Sequence, residues 1–217
     1  MIITRQKDFS VILELLKNKK NIFLVGCGEC ATTCKTGGEP EILAIKKKLE
    51  DAGKKVTGWV MPESSCVSAK IKAAMAKNRA ALSQSDAVLV FACGAGTQCF
   101  KENDRLGLDV FSGNDTLFAA LVDSQGNFKE VCSSCGDCVL DLTEGICPVT
   151  RCAKGLLNGP CGGQKDGKCE TDRTKDCAWI LIYKIKQEKK RIGDLKKINK
   201  TRDHKKSLKP HFLSIQG

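Results

Sequence analysis

Histidine is almost absent from this sequence, and aromatic side chains are scarce. Its two histidines, His204 and His211, both sit near the carboxyl end. The body of the chain therefore has no imidazole for a mixed Cys/His zinc site or for a Ser-His-Asp hydrolase set. Aromatic residues amount to 5% of the chain, too few to suggest an aromatic cage around a large ligand. Long apolar runs are missing as well. AWILIY, at residues 178–183, falls far short of the ~20 residues needed to cross a bilayer. The opening MIITRQKDFS lacks the positive start and apolar core of a secretory leader, so a cytoplasmic location is expected.

Cysteine is what the sequence has in excess, with 14 in 217 residues. A reducing compartment argues against a disulfide framework, and tightly spaced thiols there more often hold metal. The net charge of +11 is unevenly spread. Residues 184–217 carry 12 Lys or Arg against 3 Asp or Glu, a net of +9, which leaves +2 for the rest. A basic end on a near-neutral body reads first as a solvated extension and second as a docking arm for an acidic partner. Nucleic-acid binding finds no support, because no aromatic interleaving and no recognised module accompanies the basic run.

Periodicity sets the expected fold. DFSVILELLKNKK (8–20) places Phe9, Ile12, Leu13 and Leu16 on one helical face, and NIFLVG (21–26) reads as a buried strand. EPEILAIKKKLEDAG (39–53) starts with Pro40 and stops at Gly53, as a helix does. KKVTGWV (54–60) is a second strand, VSAKIKAAMAKNRAALSQ (67–84) a second helix and DAVLVFA (86–92) a third strand. This order predicts right-handed βαβ crossovers and a parallel sheet. LGLDVFSG (106–113) adds a fourth strand, and TLFAALVDSQGNFKEV (116–131) a hairpin about Gln-Gly-Asn. The expected class is α/β: a parallel-sheet βαβ domain over 1–131, a small cysteine-rich, loop-dominated metal-binding domain over 132–183, and a basic extension over 184–217. A helical pattern resumes within AWILIYKIKQEKKRIGDLKKI.

Eight thiols crowd the middle segment: Cys132, Cys135, Cys138, Cys147, Cys152, Cys161, Cys169 and Cys177. They divide into two sets of four, but spacing does not say which four belong together. Tetrathiolate zinc and iron–sulfur clusters are the options. CSSCGDC followed by Cys147-Pro148 has the opening triplet and Cys-Pro ending of a bacterial ferredoxin run, with a longer last gap. Iron–sulfur is therefore expected ahead of zinc. The glycine-rich NGPCGGQKDGKCE (158–170) suits a backbone wrapped around an inorganic group whose sulfides accept N–H hydrogen bonds.

The first domain contributes Cys27, Cys30, Cys34, Cys66, Cys93 and Cys99. Cys27, Cys66 and Cys93 each follow a strand, so they emerge on the carboxyl edge of a parallel sheet, where open α/β folds bind ligands. A third metal site is expected from Cys27, Cys30 and Cys34 with either Cys66 or Cys93, and Cys99 is left outside it. CGAGTQC (93–99) has Gly-x-Gly after a strand but lacks the rest of a dinucleotide fingerprint.

GCGECATTC and ACGAGTQ, then CSSCGDCVL, CPVTRCAKGLLNGPCGGQKDGKCE and CAWILIYKI, resemble the small iron–sulfur subunit of bacterial methylenetetrahydrofolate reductases, over roughly residues 20–185. The resemblance implies a non-catalytic subunit of an oxidoreductase, with two [4Fe-4S] clusters in the cysteine-rich domain and a third in the α/β domain. Ferredoxin or another redox protein would donate the electrons. They would pass to FMN or FAD on a larger catalytic subunit that reduces methylenetetrahydrofolate to methyltetrahydrofolate. The alternative is a zinc-binding subunit that scaffolds the catalytic partner and moves no electrons.

Overall fold

The chain begins with β1 (Ile2–Gln6) and α1 (Phe9–Leu15), then runs β2 (Asn21–Val25), α2 (Cys30–Thr33), α3 (Glu39–Asp51) and β3 (Lys55–Val60). Next come α4 (Ser68–Lys77), α5 (Arg79–Ser83), β4 (Ala87–Val90), α6 (Gly94–Asn103), β5 (Asp109–Ser112), β6 (Asn114–Val122) and β7 (Phe128–Glu130). Two further helices follow, α7 (Pro148–Arg151) and α8 (Ala178–Glu188), and two 3-10 turns close the sequence at Ile192–Lys196 and His204–Ser207. This computed structural model describes residues 1–214, so the last three residues of the expected basic extension lie outside the described residues.

Four parallel strands lie in the order β3-β2-β4-β5. The α/β expectation with a parallel sheet is met. Alternation along β2 explains why both faces are covered. Phe23 and Val25 join Val88, Val90, Ile71, Leu82 and Phe100 in one core cluster. Ile22 and Leu24 join Leu89, Ile12, Ile42 and Leu49 in another. The four apolar side chains of β2 are fully buried, each worth about 1.5–3 kcal/mol of apolar transfer.

Several elements differ from the pattern-based expectation, each for a local reason. The single helix expected over 67–84 breaks at Asn78, whose side-chain Nδ2 donates to the Ala74 carbonyl at 2.9 Å and competes with the helical ladder. Helix α6 was hidden by its glycines. Gly96 brings the backbone against the end of β4, where a Cβ would lie 2.8 Å from that of Ala92. The last helix stops at Glu188 because Lys190 turns left-handed (φ 56°) and the Arg191 amide closes back on the Lys186 carbonyl at 2.7 Å. Strand β1 had no place in the periodicity reading. It flanks β6 in a second, three-stranded sheet of order β1-β6-β7, with β6 and β7 antiparallel as the hairpin pattern requires.

Two compact units result, Met1–Phe118 and a second beginning at Ala119. The sequence reading placed the division after Val131. In the structure most of the hairpin lies beyond the division, so the boundary falls inside β6.

Candidate metal centres

The second unit sorts its eight thiols by position. Cys132, Cys135, Cys138 and Cys147 line one cavity of about 270 Å³, shared with Val131, Val139, Leu140 and Val149. Cys152, Cys161, Cys169 and Cys177 line another of about 20 Å³, beside Pro160 and Trp179. Consecutive cysteines thus pair with their neighbours in sequence, a partition that spacing alone left open.

The first cavity is shaped by a loop that doubles back twice. Ser134 (φ 54°) and Gly136 (φ 76°) are both left-handed, so successive amides turn inward. The Ser134 N–H donates to the Cys132 sulfur at 3.4 Å. Cys147 caps α7 in extended conformation, and Pro148 fills the first helical position, where a missing N–H costs nothing.

The second cavity is a tighter knuckle. Lys168 bridges antiparallel to Lys165 and to Asp176, which folds the segment back on itself. The Cys177 amide donates to the Gly167 carbonyl at 2.7 Å, and the Cys169 amide to the Lys175 carbonyl at 2.9 Å. Gly167 at φ 78° makes the turn between them possible. The Cys169 sulfur lies 3.2 Å from the Thr171 hydroxyl. That hydroxyl, then the backbone amides of Thr171, Asp172 and Ala153, hold the Cys169 thiol below its ordinary value. Trp179 closes one side, its Nε1 donating to the Leu156 carbonyl at 2.9 Å within a core of Ile146, Ala178 and Ile182.

In the first unit the strand order β3-β2-β4-β5 puts a topological switch point between β2 and β4. Cys27 lies just past β2 and Cys93 just past β4, so both stand at that crevice. The loop after β3 carries Cys66 to the same edge: the Ser65 hydroxyl donates to the Gly26 carbonyl at 2.7 Å, and the Cys27 thiol to the Glu63 carbonyl at 3.9 Å. Burial, then the nearby sulfurs of Cys93, Cys27 and Cys30, push the Cys66 thiol up. Cys27, Cys30 and Cys93 therefore all stand near Cys66. Cys34 and Cys30 both lie against Ile2, whose amide donates to the Cys30 sulfur at 3.5 Å and whose carbonyl accepts from the Cys34 thiol at 3.8 Å. Cys99 lies in the core beside Phe100, where Asn103 donates to its sulfur at 3.8 Å.

Among the described residues, no three His, Cys, Asp or Glu side chains converge tightly enough to clasp a single ion.

Sequence reasoning missed two polar features of the second unit. One is Glu144, whose 4%-exposed side chain takes Lys189 at 2.7 Å and Lys186 and Arg191 at 3.3 Å. The other is the basic end, which is not a free extension up to Lys206. Asn199 pairs with Asn158 and the Leu157 carbonyl, and Lys206 Nζ donates to Asp137 at 2.7 Å. Asp137 lies between Cys135 and Cys138, yet its sequence position offered no sign of a partner 69 residues away.

The structure thus joins an open parallel α/β unit to a second unit rich in thiols. Residues 111–205 match the family model described as methylene-tetrahydrofolate reductase C terminal, a stretch that includes all eight thiols of the second unit. This part of the chain is similar to the carboxyl-terminal part of methylenetetrahydrofolate reductases. No curated protein and no solved structure matches the chain. No helix among the described residues is long and apolar enough to cross a membrane.

Proposed function

We propose that the chain is an iron–sulfur subunit that relays electrons to a flavin-bearing methylenetetrahydrofolate reductase partner. The observation that carries this reading is the sorting of eight thiols into two four-thiol cavities inside the family-matched stretch. The larger cavity, of about 270 Å³ with a partly apolar lining, fits a [4Fe-4S] cluster held by Cys132, Cys135, Cys138 and Cys147. Cys27, Cys30, Cys66 and Cys93 would hold a second cluster at the sheet edge. Such clusters, when bound, supply one-electron chemistry at potentials tuned by surrounding hydrogen bonds. The chain's own part is to supply the four sulfurs and a nearby amide N–H, with Val131 and Val139 covering part of the cavity.

The smaller cavity favours a different occupant. About 20 Å³ leaves little room for a second cubane, so the occupant proposed here is a single zinc ion, on which Cys152, Cys161, Cys169 and Cys177 would have to draw together. The low thiol of Cys169 supports ligation of either kind. A scaffold role for that set and an electron-carrying role for the other are compatible in one chain.

The test is transfer itself. In the complex with its flavin-bearing partner, Cys135→Ser should abolish flavin reduction by an external one-electron donor while the flavin content stays unchanged. Flavin reduction at the wild-type rate in that variant would overturn the relay.

A further inference from the structure

The basic end forms a strap across the loop that carries three of the four larger-cavity thiols. Asp137 anchors it, accepting from Lys206 Nζ at 2.7 Å and from the Asp203 amide at 3.3 Å. Gly136 meets the Lys206 carbonyl so closely that any side chain there would collide with it. Farther back, the Asn199 amide donates to Asn158 Oδ1 at 2.9 Å. The strap is thus fixed at both ends of residues 199–206, and a cavity of about 560 Å³ opens beside Cys138, lined also by Lys200 and Arg202.

What the strap shows to solvent is consistent along its length. Residues 196–209 hold seven Lys or Arg against one Asp, a net of +6. Lys206 answers Asp137 and Lys197 answers Asp194, but Lys196, Lys200, Lys205 and Lys209 make no ion pair among the described residues. Large apolar side chains stand among these cations: Ile198 is 88% exposed and Leu208 66%, with Phe212 at 93% and Leu213 at 87% just beyond. Cations around exposed apolar anchors are the pattern of a protein-docking surface, in which charge steers encounter and apolar contact holds it. A nucleic-acid face would instead need aromatic stackers, and Phe212 is the sole aromatic in the segment.

We propose that this strap is the docking surface for an acidic one-electron carrier protein, which it seats against the Cys132–Cys138 loop. The inference rests on the relay reading for its purpose, but binding can be measured whether or not iron is present. Charge complementarity identifies the partner: a surface with a net of +6 over 14 residues selects a carrier with a carboxylate-rich face.

The experiment uses the full chain, purified without oxygen, with a small acidic ferredoxin as probe. Binding is measured by calorimetry at low and high salt for wild type and for the Lys200→Glu/Lys205→Glu/Lys209→Glu variant. All three side chains are exposed and none lines either four-thiol cavity, so metal content serves as the folding control. Wild-type binding that weakens steeply with salt, and on the order of tenfold or more in the variant at equal metal content, supports the proposal. Equal binding by variant and wild type overturns it, and so does a duplex DNA probe that binds the strap more tightly than the ferredoxin does. Salt-sensitive ferredoxin binding by iron-free protein would leave the docking surface standing and remove the relay. Iron-replete protein that ignores ferredoxin would do the reverse.

Discussion

Glu144→Gln should open the second unit's helix while changing no thiol. The Glu144 side chain is 4% exposed and that of Lys186 3%, with 3.3 Å between their charged atoms. Lys189 and Arg191, about half exposed, can turn to water when the carboxylate is lost. Lys186 cannot, and its remaining carboxylate is Asp194 at 3.7 Å. Removing one partner of a buried pair costs about 3–5 kcal/mol, and the surviving Asp194 contact places this case at the low end. About 3 kcal/mol corresponds to roughly a hundredfold change in an opening equilibrium. Glu144 precedes Cys147, and Lys186 lies on α8, the helix capped by Cys177, so the cluster couples elements that carry both thiol sets. Amide hydrogen exchange along α8 reads this directly. Ile182 and Ile185 amides should exchange about a hundredfold faster in the variant, and Lys186→Met added to it should recover most of the loss. Lys189, then Lys186 and Arg191, hold the Glu144 carboxyl below its ordinary value of about 4.3. Its contribution is therefore present at neutral pH and fades as pH falls below ~4, through the folded-state value, an acid limb the Gln variant should lack. Exchange altered by less than about threefold would mean that the cluster behaves as an exposed surface network, and the reasoning would fail.

Other outcomes follow from the same geometry. Gly37→Ala would drive a Cβ into the Phe91 backbone at the switch point, where the carbonyl carbon lies 2.9 Å away. It should cost the first unit about 1–3 kcal/mol in denaturant unfolding, and an unchanged midpoint would contradict the packing. Cys34→Ser should leave the metal content of the first unit intact, whereas Cys66→Ser should lower it. Equal loss in both would return Cys34 to the ligand set. Cys169→Ser should release zinc without bleaching the visible absorption of iron–sulfur protein, and loss of colour would place a cluster there instead.

The parallel sheet was legible because its strands are short apolar runs followed directly by helix patterns, and burial on both faces demands that composition. Helix α6 was not, because GAGTQC carries no helix-start signal and its glycines serve close packing against Ala92 rather than the helix itself. The crowding of eight thiols in the second unit was readable from the sequence, but their division between two cavities was not. Whether Cys147 joins the 132–138 triplet or the later four depends on how Pro148 and α7 turn the chain, a tertiary outcome. Cys34 follows Cys30 closely and shares its Ile2 contact, but it is not among the sulfurs that act on Cys66, which sequence spacing could not show. The strap was hidden for a simpler reason. A lysine-rich terminus reads as solvated until its carboxylate partner is known, and Asp137 is remote in sequence.

The account turns on whether the larger cavity holds an electron-carrying cluster. The most direct measurement is iron, labile sulfide and zinc per chain, with electron paramagnetic resonance of the reduced protein, on oxygen-free wild type, Cys135→Ser and Cys169→Ser. About eight irons and one zinc are expected in wild type, with about four irons and one cluster signal lost in Cys135→Ser and iron intact in Cys169→Ser. Iron-poor wild type, or iron and signal unchanged in Cys135→Ser, would contradict the account.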